Sequence, residues 1–216
     1  MKLSTFTDNL GAYAEGLVGT LAITGVSAVG ALALGTVLAA MRVSPVPSLR
    51  AAGLVYVETF RNFPLPVVVV LFAFGLPKVV PVTSFFVLLC LGVALYHAAF
   101  VCEALRSGIN SVAVGQGEAA RAIGLGFRQT LTLVVLPQAF RTVIPPLGNV
   151  LIALTKNTSI AYAVDVSDIT NVSETVTTQT VDPLGALLGA AVCYLVLTLP
   201  TGLYLGRIER QQAFAR

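Results

Sequence analysis

The sequence predicts an all-α integral membrane protein of about five transmembrane helices, and three observations carry that expectation. The 216 residues are 56% hydrophobic and 11% charged, where a soluble domain carries about 25% charged residues. Mean hydropathy is +0.88. The apolar residues gather into five runs, each close to the roughly 20 residues that a spanning helix requires. They make one membrane domain over 1–216.

The first run covers 17–41 and is too long for the apolar core of a signal peptide, so it reads as an uncleaved span. "RVSPVPSLR" ends it, with prolines and arginines that mark a loop. The second run, 57–76, is broken near its start by Arg61, Pro64 and Pro66. The third covers 84–105. The fourth, 145–164, is apolar but carries Lys156 near its middle, and the fifth covers 184–205. Small residues recur at helix-packing spacing: Ser27, Ala31 and Gly35 in the first run, Gly185 with Gly189 and Gly202 with Gly206 in the last. Such rows let helix backbones approach closely in lipid.

Charge tests this division, because arginine and lysine collect in cytoplasmic loops. Five spans put the termini on opposite sides. With the N-terminus outside, the inner segments hold Arg42, Arg50, Arg106, Arg121, Arg128, Arg141, Arg207, Arg210 and Arg216. The outer segments hold Lys2 and Lys78 together with Asp8, Glu15, Asp165, Asp168, Glu174 and Asp182. The expected topology is therefore N-terminus out and C-terminus in, with a cytoplasmic loop at 107–140.

That loop is basic and amphipathic. Gly115 and Gly117 are expected to break what precedes them, and "EAARAI" then has helix-forming composition. Glu118 is expected near the helix start, where a negative charge suits the dipole. Gly124 stands where a left-handed C-cap residue would stand. The result is a helix of about two turns with a flat surface of Ala119, Ala120 and Ala122. A second helical stretch, "FRQTLTLVVL", is expected to stop at Pro137. A helix this short is not stable alone. On physics alone it either packs beneath its own bundle or docks in a groove on a soluble partner.

Residues 115–137 resemble the EAA motif of ABC importer permeases, through Glu118, Ala119, Ala120, Gly124, Val134, Leu136 and Pro137. Val134 stands where the motif has isoleucine. "FRNFPLP", "CEALRSGI", "PQAFRTVIPPLGN" and "KNTSI" are similar to the polar amino acid uptake branch of that family, and the resemblance spans about 15–207. Within the branch it is greatest to the glutamate-uptake permeases of actinobacteria. The resemblance implies that 115–137 forms the coupling helix that docks on a cytoplasmic ATPase, with Glu118, Ala119, Ala120, Gly124 and Pro137 carrying the coupling. It also implies an assembly of two permease chains, the second identical or a paralogue, with an ATPase dimer and an extracytoplasmic amino-acid-binding protein. The setting would be a bacterial plasma membrane.

Charge inside the hydrocarbon is costly and calls for a reason. Glu58 and Arg61 are three apart and could pair on one helix face, as could Glu103 and Arg106. Lys156, Asn157, Thr158 and Ser159 form a polar group expected to face an aqueous cavity. With Arg61, Asn62, Pro64 and Glu103 they are the candidate substrate-pathway residues. His97 is expected to be packed and bonded to a neighbouring helix. Where relatives often read R-G-T-P and K-D-T-S-L, this chain has Arg61-Asn62-Phe63-Pro64 and Lys156-Asn157-Thr158-Ser159-Ile160. Those departures touch the substrate and leave the transporter class intact.

The three lysines are followed by Leu, Val and Asn, so no phosphate loop is present. ATP and Mg are expected on the partner ATPase, and no cofactor or metal in this chain. Cys90, Cys102 and Cys193 lie in apolar runs with no metal-ligand spacing. No catalytic constellation and no nucleic-acid partner are expected. The expected function is the membrane subunit of an ATP-driven importer of a polar amino acid, glutamate first. The alternative is a secondary transporter or channel driven by an ion gradient, served by His97 and the intramembrane charges. It leaves the motif at 115–137 without a role.

Overall fold

The computed structural model describes residues 3–213. Ten α-helical segments follow one another: α1 Leu3–Thr7, α2 Leu10–Val43, α3 Pro47–Asn62, α4 Leu65–Val70, α5 Phe85–Asn110, α6 Val114–Ala122, α7 Phe127–Gln129, α8 Leu136–Asn157, α9 Ile169–Thr180 and α10 Pro183–Ala213. A π turn at Thr130–Val135 joins α7 to α8, and a 3₁₀ stretch at Thr158–Val164 extends α8. Among the described residues, four helical units are long and apolar enough to cross a membrane: Leu10–Val43, Phe85–Asn110, Phe127–Val164 and Pro183–Arg210. α3 and α4, extended to Lys78, make a fifth crossing if counted together, bent by 103°.

The small-residue row of the first span is the seam of the bundle. Ser27, Ala31 and Gly35 are all buried. The Ser27 hydroxyl donates to the Cys90 carbonyl at 3.3 Å, and a Cβ on Gly35 would lie 2.9 Å from the Ala98 carbonyl. Contacts advance in step along both helices, Ser27 with Cys90, Gly30 with Ala94 and Gly35 with Ala98, so α2 and α5 run side by side in the same direction. α8 runs against them, with Gly108 of α5 against Val143 and, about three turns along α5, His97 against Asn157. Gly148 packs on Leu205, which turns α10 back alongside α8. In α10, Gly189 meets Phe6 and Tyr13, whereas Gly202 and Gly206 pack on nothing closer than Ile152 at 4.0 Å.

This arrangement gives the bundle two unlike ends. One gathers α1, α9 and the acids Asp8, Asp165, Asp168, Glu174 and Asp182; the other gathers α6, α7 and Arg50, Arg121 and Arg128. Several helix limits differ from those expected. The break of the second span falls at Phe63–Pro64, because proline forces the residue before it into extended backbone, and Phe63 has ψ 139°. The fourth span begins at Phe127 and not at Pro145. Pro137 does not stop a helix: it lies in the first turn of α8, directly after the π turn. A π turn bonds i to i+5, with Leu136 N–H donating to Leu131, so a missing N–H at the next residue costs little. Only 111–113 and 123–126 of the expected 107–140 loop are outside helices.

Candidate functional site

The first candidate site is α6 and the turn that follows. Gly115 and Gly117 do not break the chain here. They belong to the first turn of α6, and the break comes earlier, at Ser111–Ala113. Glu118 is accordingly the fifth residue of the helix, beyond the first turn where its charge would meet the dipole most strongly. Gly124 has φ +90°. Its N–H donates to the Arg121 carbonyl at 3.0 Å and that of Leu125 to Ala120 at 3.1 Å. Those two bonds form a Schellman motif, for which the left-handed residue favours glycine. Nothing lies within 4 Å of a Cβ built on Gly124, so backbone conformation alone explains the residue.

The alanines separate into two faces. Ala120 is buried, and Gly117 faces Thr130 of the π turn. Glu118, Ala119 and Ala122 are exposed. Beside them stand Val114, Ile123 and Phe127, the last two 80% exposed. Sequence reasoning missed this triplet, although an apolar residue at a helix cap and another at the next helix start are legible signals. The site therefore offers an apolar rim around small residues, with Arg121 and Arg128 nearby. It has the composition of a docking face.

The second candidate site is the charged group inside the membrane region. Glu103 is its centre. Arg106 holds it through two hydrogen bonds, Nε to Oε1 at 3.3 Å and Nη2 to Oε2 at 2.9 Å. Arg42 Nη1 lies 3.3 Å from Oε1 and Arg61 Nη1 4.0 Å from Oε2. The Glu103–Arg106 pairing is as the spacing suggests. The Glu58–Arg61 pairing does not form: Arg61 turns to Glu103, and Glu58 receives Asn62, whose amide donates to the Glu58 carbonyl at 2.7 Å. Arg61 sits in the last turn of α3, where the bend carries it toward α5. Arg42 is a residue that sequence reasoning assigned to a loop. Asn62 and Pro64 are exposed at the break.

The third is the Lys156–Ser159 group. These four do not face one way, because consecutive helical residues step about 100° around the axis. Lys156 is exposed and makes no ion pair among the described residues. Thr158 is fully buried, its hydroxyl donating to Thr155 at 2.9 Å. Asn157 reaches across to α5, its amide nitrogen 3.1 Å from His97 Nε2. His97 is buried and its Nδ1 lies 2.9 Å from the Val93 carbonyl. A donor at Nδ1 leaves Nε2 as the acceptor for Asn157, so His97 ties two helices together as a neutral ring. Six residues separate His97 from Glu103, about 9 Å along α5. No hydrogen bond or ion pair among the described residues joins the two groups.

A fourth polar group, absent from the sequence expectations, closes the acidic end. Asp168 is fully buried at the N-cap of α9. Its carboxylate accepts the Asn171 N–H at 2.8 Å and the Tyr194 hydroxyl at 2.9 Å. Burial pushes the Asp168 carboxyl up, and these donors oppose that rise. Next to it, Thr20 of α2 accepts the Ile169 N–H at 3.2 Å.

Comparison with known proteins identifies the setting of these groups. The family model described as "Binding-protein-dependent transport system inner membrane component" matches residues 31–213. The chain is similar to the glutamate transport system permease protein GluC of Corynebacterium efficiens, 42% identical over 207 residues that cover 90% of this chain and 91% of the relative. It is similar to the probable glutamine ABC transporter permease protein GlnM of Bacillus subtilis, 36% identical with 98% of each chain covered. Among solved structures, an amino acid ABC transporter crystallised with histidines superposes with a TM-score of 0.90 at 26% identity, covering 98% of this chain and 99% of that one. An inward-facing MetNI methionine transporter shares the fold, at TM-score 0.71 and 20% identity. The chain belongs to the family of binding-protein-dependent transport system inner membrane components.

Proposed function

We propose that this permease subunit carries an acidic amino acid, glutamate first, through a bacterial plasma membrane, driven by a separate ATPase. The relative at 42% identity is a glutamate transport permease, and that observation carries the substrate reading. The exposed apolar rim of Val114, Ile123 and Phe127 supports a soluble partner at α6. In this reading ATP and Mg bind the partner ATPase dimer, and closure of that dimer moves α6. A second permease chain completes the pathway, and an extracytoplasmic binding protein delivers substrate at the acidic end. The segregation of arginine from acids supports the N-terminus outside and the C-terminus inside.

Within the pathway the exposed Lys156 supplies one positive charge for a carboxylate that has shed its water. Asn157 and Thr158 brace the helix that presents it, through His97 and Thr155. Arg61, Asn62 and Pro64 lie at the break of the second span, where irregular backbone requires protein or water rather than lipid.

Glutamate uptake in vesicles containing the co-expressed ATPase and binding protein tests this reading. Lys156→Met at matched membrane expression is expected to lose about tenfold or more of uptake, the scale of one charge-assisted contact, and Lys156→Arg to retain part of it. Wild-type uptake by Lys156→Met removes the lysine from the pathway. Uptake of arginine without glutamate overturns the substrate.

A further inference from the structure

The group around Glu103 has more cations than its carboxylate can satisfy. Arg106 takes both carboxylate oxygens in hydrogen bonds. Arg42 and Arg61 then share what remains, and the group of three guanidiniums and one carboxylate keeps two positive charges in excess. Glu103 is the only acid within 4.0 Å of these guanidiniums among the described residues.

The two residual arginines are not equivalent. The Arg42 side chain is 13% exposed, and its buried Nη1 faces Glu103 Oε1 at 3.3 Å as an ion pair without hydrogen-bond geometry. Among the described residues Arg42 makes this ion pair and no hydrogen bond, so its guanidinium keeps donors for a further acceptor. Arg61 is 42% exposed and lies at the limit of ion-pair distance from Glu103. It adjoins the exposed break at Asn62–Pro64, whose irregular backbone cannot face lipid. A route from an aqueous cavity or a chain interface therefore leads to Arg61, with Arg42 behind it.

We propose that the Arg42–Arg61 side of this group is an oxyanion-binding site, and that its ligand is a carboxylate group of the transported acidic amino acid. This rests on the acidic substrate reading above. Glu103 is a positioning residue: by engaging Arg106 through two oxygens it fixes the cluster, and it yields Arg61 when a second carboxylate enters. The planar guanidinium suits a carboxylate or phosphate through paired N–H donors. A lipid phosphate offers the same chemistry, and the experiment separates the two sources.

The purified full chain is placed in nanodiscs of phosphatidylcholine alone, and thermal unfolding is followed while glutamate or inorganic phosphate is titrated at constant ionic strength. Ligand binding raises the unfolding temperature in proportion to occupancy. The wild type is expected to show a saturable rise with glutamate. Arg61→Gln is expected to raise the half-saturating concentration by about ten- to a hundredfold, the effect of one lost charge-assisted contact. Arg61→Lys keeps the charge without the fork and is expected to fall between, which serves if the glutamine variant does not fold. Arg50→Gln removes the same charge from the exposed start of α3 and is expected to match the wild type. Phosphate acting through Arg61 while glutamate does not would uphold the oxyanion site and remove the acidic substrate. Equal half-saturation in Arg61→Gln and wild type overturns the site. So does a stabilisation that appears only after phosphatidylglycerol is added, which would assign these arginines to a lipid headgroup.

Discussion

α6 and α9 are both short helices that connect long ones, at opposite ends of the bundle, and they are held in opposite ways. α9 is fastened by its own chain. Its N-cap Asp168 is buried and bonded to Asn171 and Tyr194, and Ile169, Val172, Ser173 and Val176 are buried along one face. α6 has no side-chain N-cap bond and buries Ala120 alone. Even the caps differ. α9 ends at Val181 with φ +54°, a left-handed position that costs a β-branched residue about 1–2 kcal/mol, while α6 ends at Gly124, where that cost is absent. The contrast teaches where each helix finds its stability: α9 is secured by tertiary contacts strong enough to carry a strained cap. α6 keeps its local geometry ideal and its outer surface free.

Substitutions at the two helices break or sharpen this comparison. The largest effect is expected at Gly19, where a Cβ would fall on the Ser167 carbonyl and lift α9 off α2. Gly19→Val is expected to cost about 3 kcal/mol or more, from overpacking against backbone, read as a lowered unfolding temperature in detergent. An unchanged transition would mean that α9 is not seated on α2. Next comes Asp168→Ala, expected to cost about 2 kcal/mol, from a lost cap and a lost hydrogen bond. Asp168→Asn keeps a good cap and is expected to cost less. The pH dependence separates the two further. With the folded carboxyl raised by burial, ionisation disfavours the folded state, and the wild type gains stability as pH falls through that raised value toward the ordinary one. Asp168→Asn is expected to lack that gain. The smallest effect on stability is expected at the other helix. Ile123→Ser and Phe127→Ser replace exposed residues, so the change stays within about 0.5 kcal/mol. If α6 docks on the proposed ATPase, their effect lies in association: co-purification with that partner is expected to fall while the unfolding temperature holds. A loss of stability instead would make the apolar rim part of this chain's own core.

Much of this was legible because lipid imposes simple requirements. The row of Ser27, Ala31 and Gly35 and the left-handed Gly124 follow from local rules and stand in the structure as expected, while the limits of the second and fourth apolar runs do not. The differences arise where a local signal is overruled. Pro137 reads as a stop and Pro145 as the start of a span, yet one helix runs from Leu136 to Asn157 through Pro145 and Pro146, with Pro137 in its first turn directly after the π turn. Lys156–Ser159 reads as one polar patch, yet helix geometry spreads it around the axis. Arg42 reads as a loop residue and Asp168 as an outer-loop acid, since nothing in the spacing reveals that distant helices converge on them. The candidate sites were legible as lists of polar residues. Which of those residues meet depended on the 103° bend between α3 and α4 and on the parallel run of α2 and α5.

The unbroken helical path from Phe127 to Val164 makes the candidate docking end and the candidate pathway end two arms of one lever. At 1.5 Å per residue its 38 residues extend about 57 Å, and a tilt of about 5° about the midpoint carries each tip about 2.5 Å. A displacement of about 2.4 Å at Phe127 is met by an opposite one of about 1.4 Å at Lys156, which stands nearer the midpoint, with no chain of side-chain rearrangements between them. Where the lever flexes is set by three missing N–H groups, at Pro137, Pro145 and Pro146. Pro137 lies toward the Phe127 end and Pro145 and Pro146 at the midpoint, so the arm that presents Lys156, beyond all three, is the stiffer one.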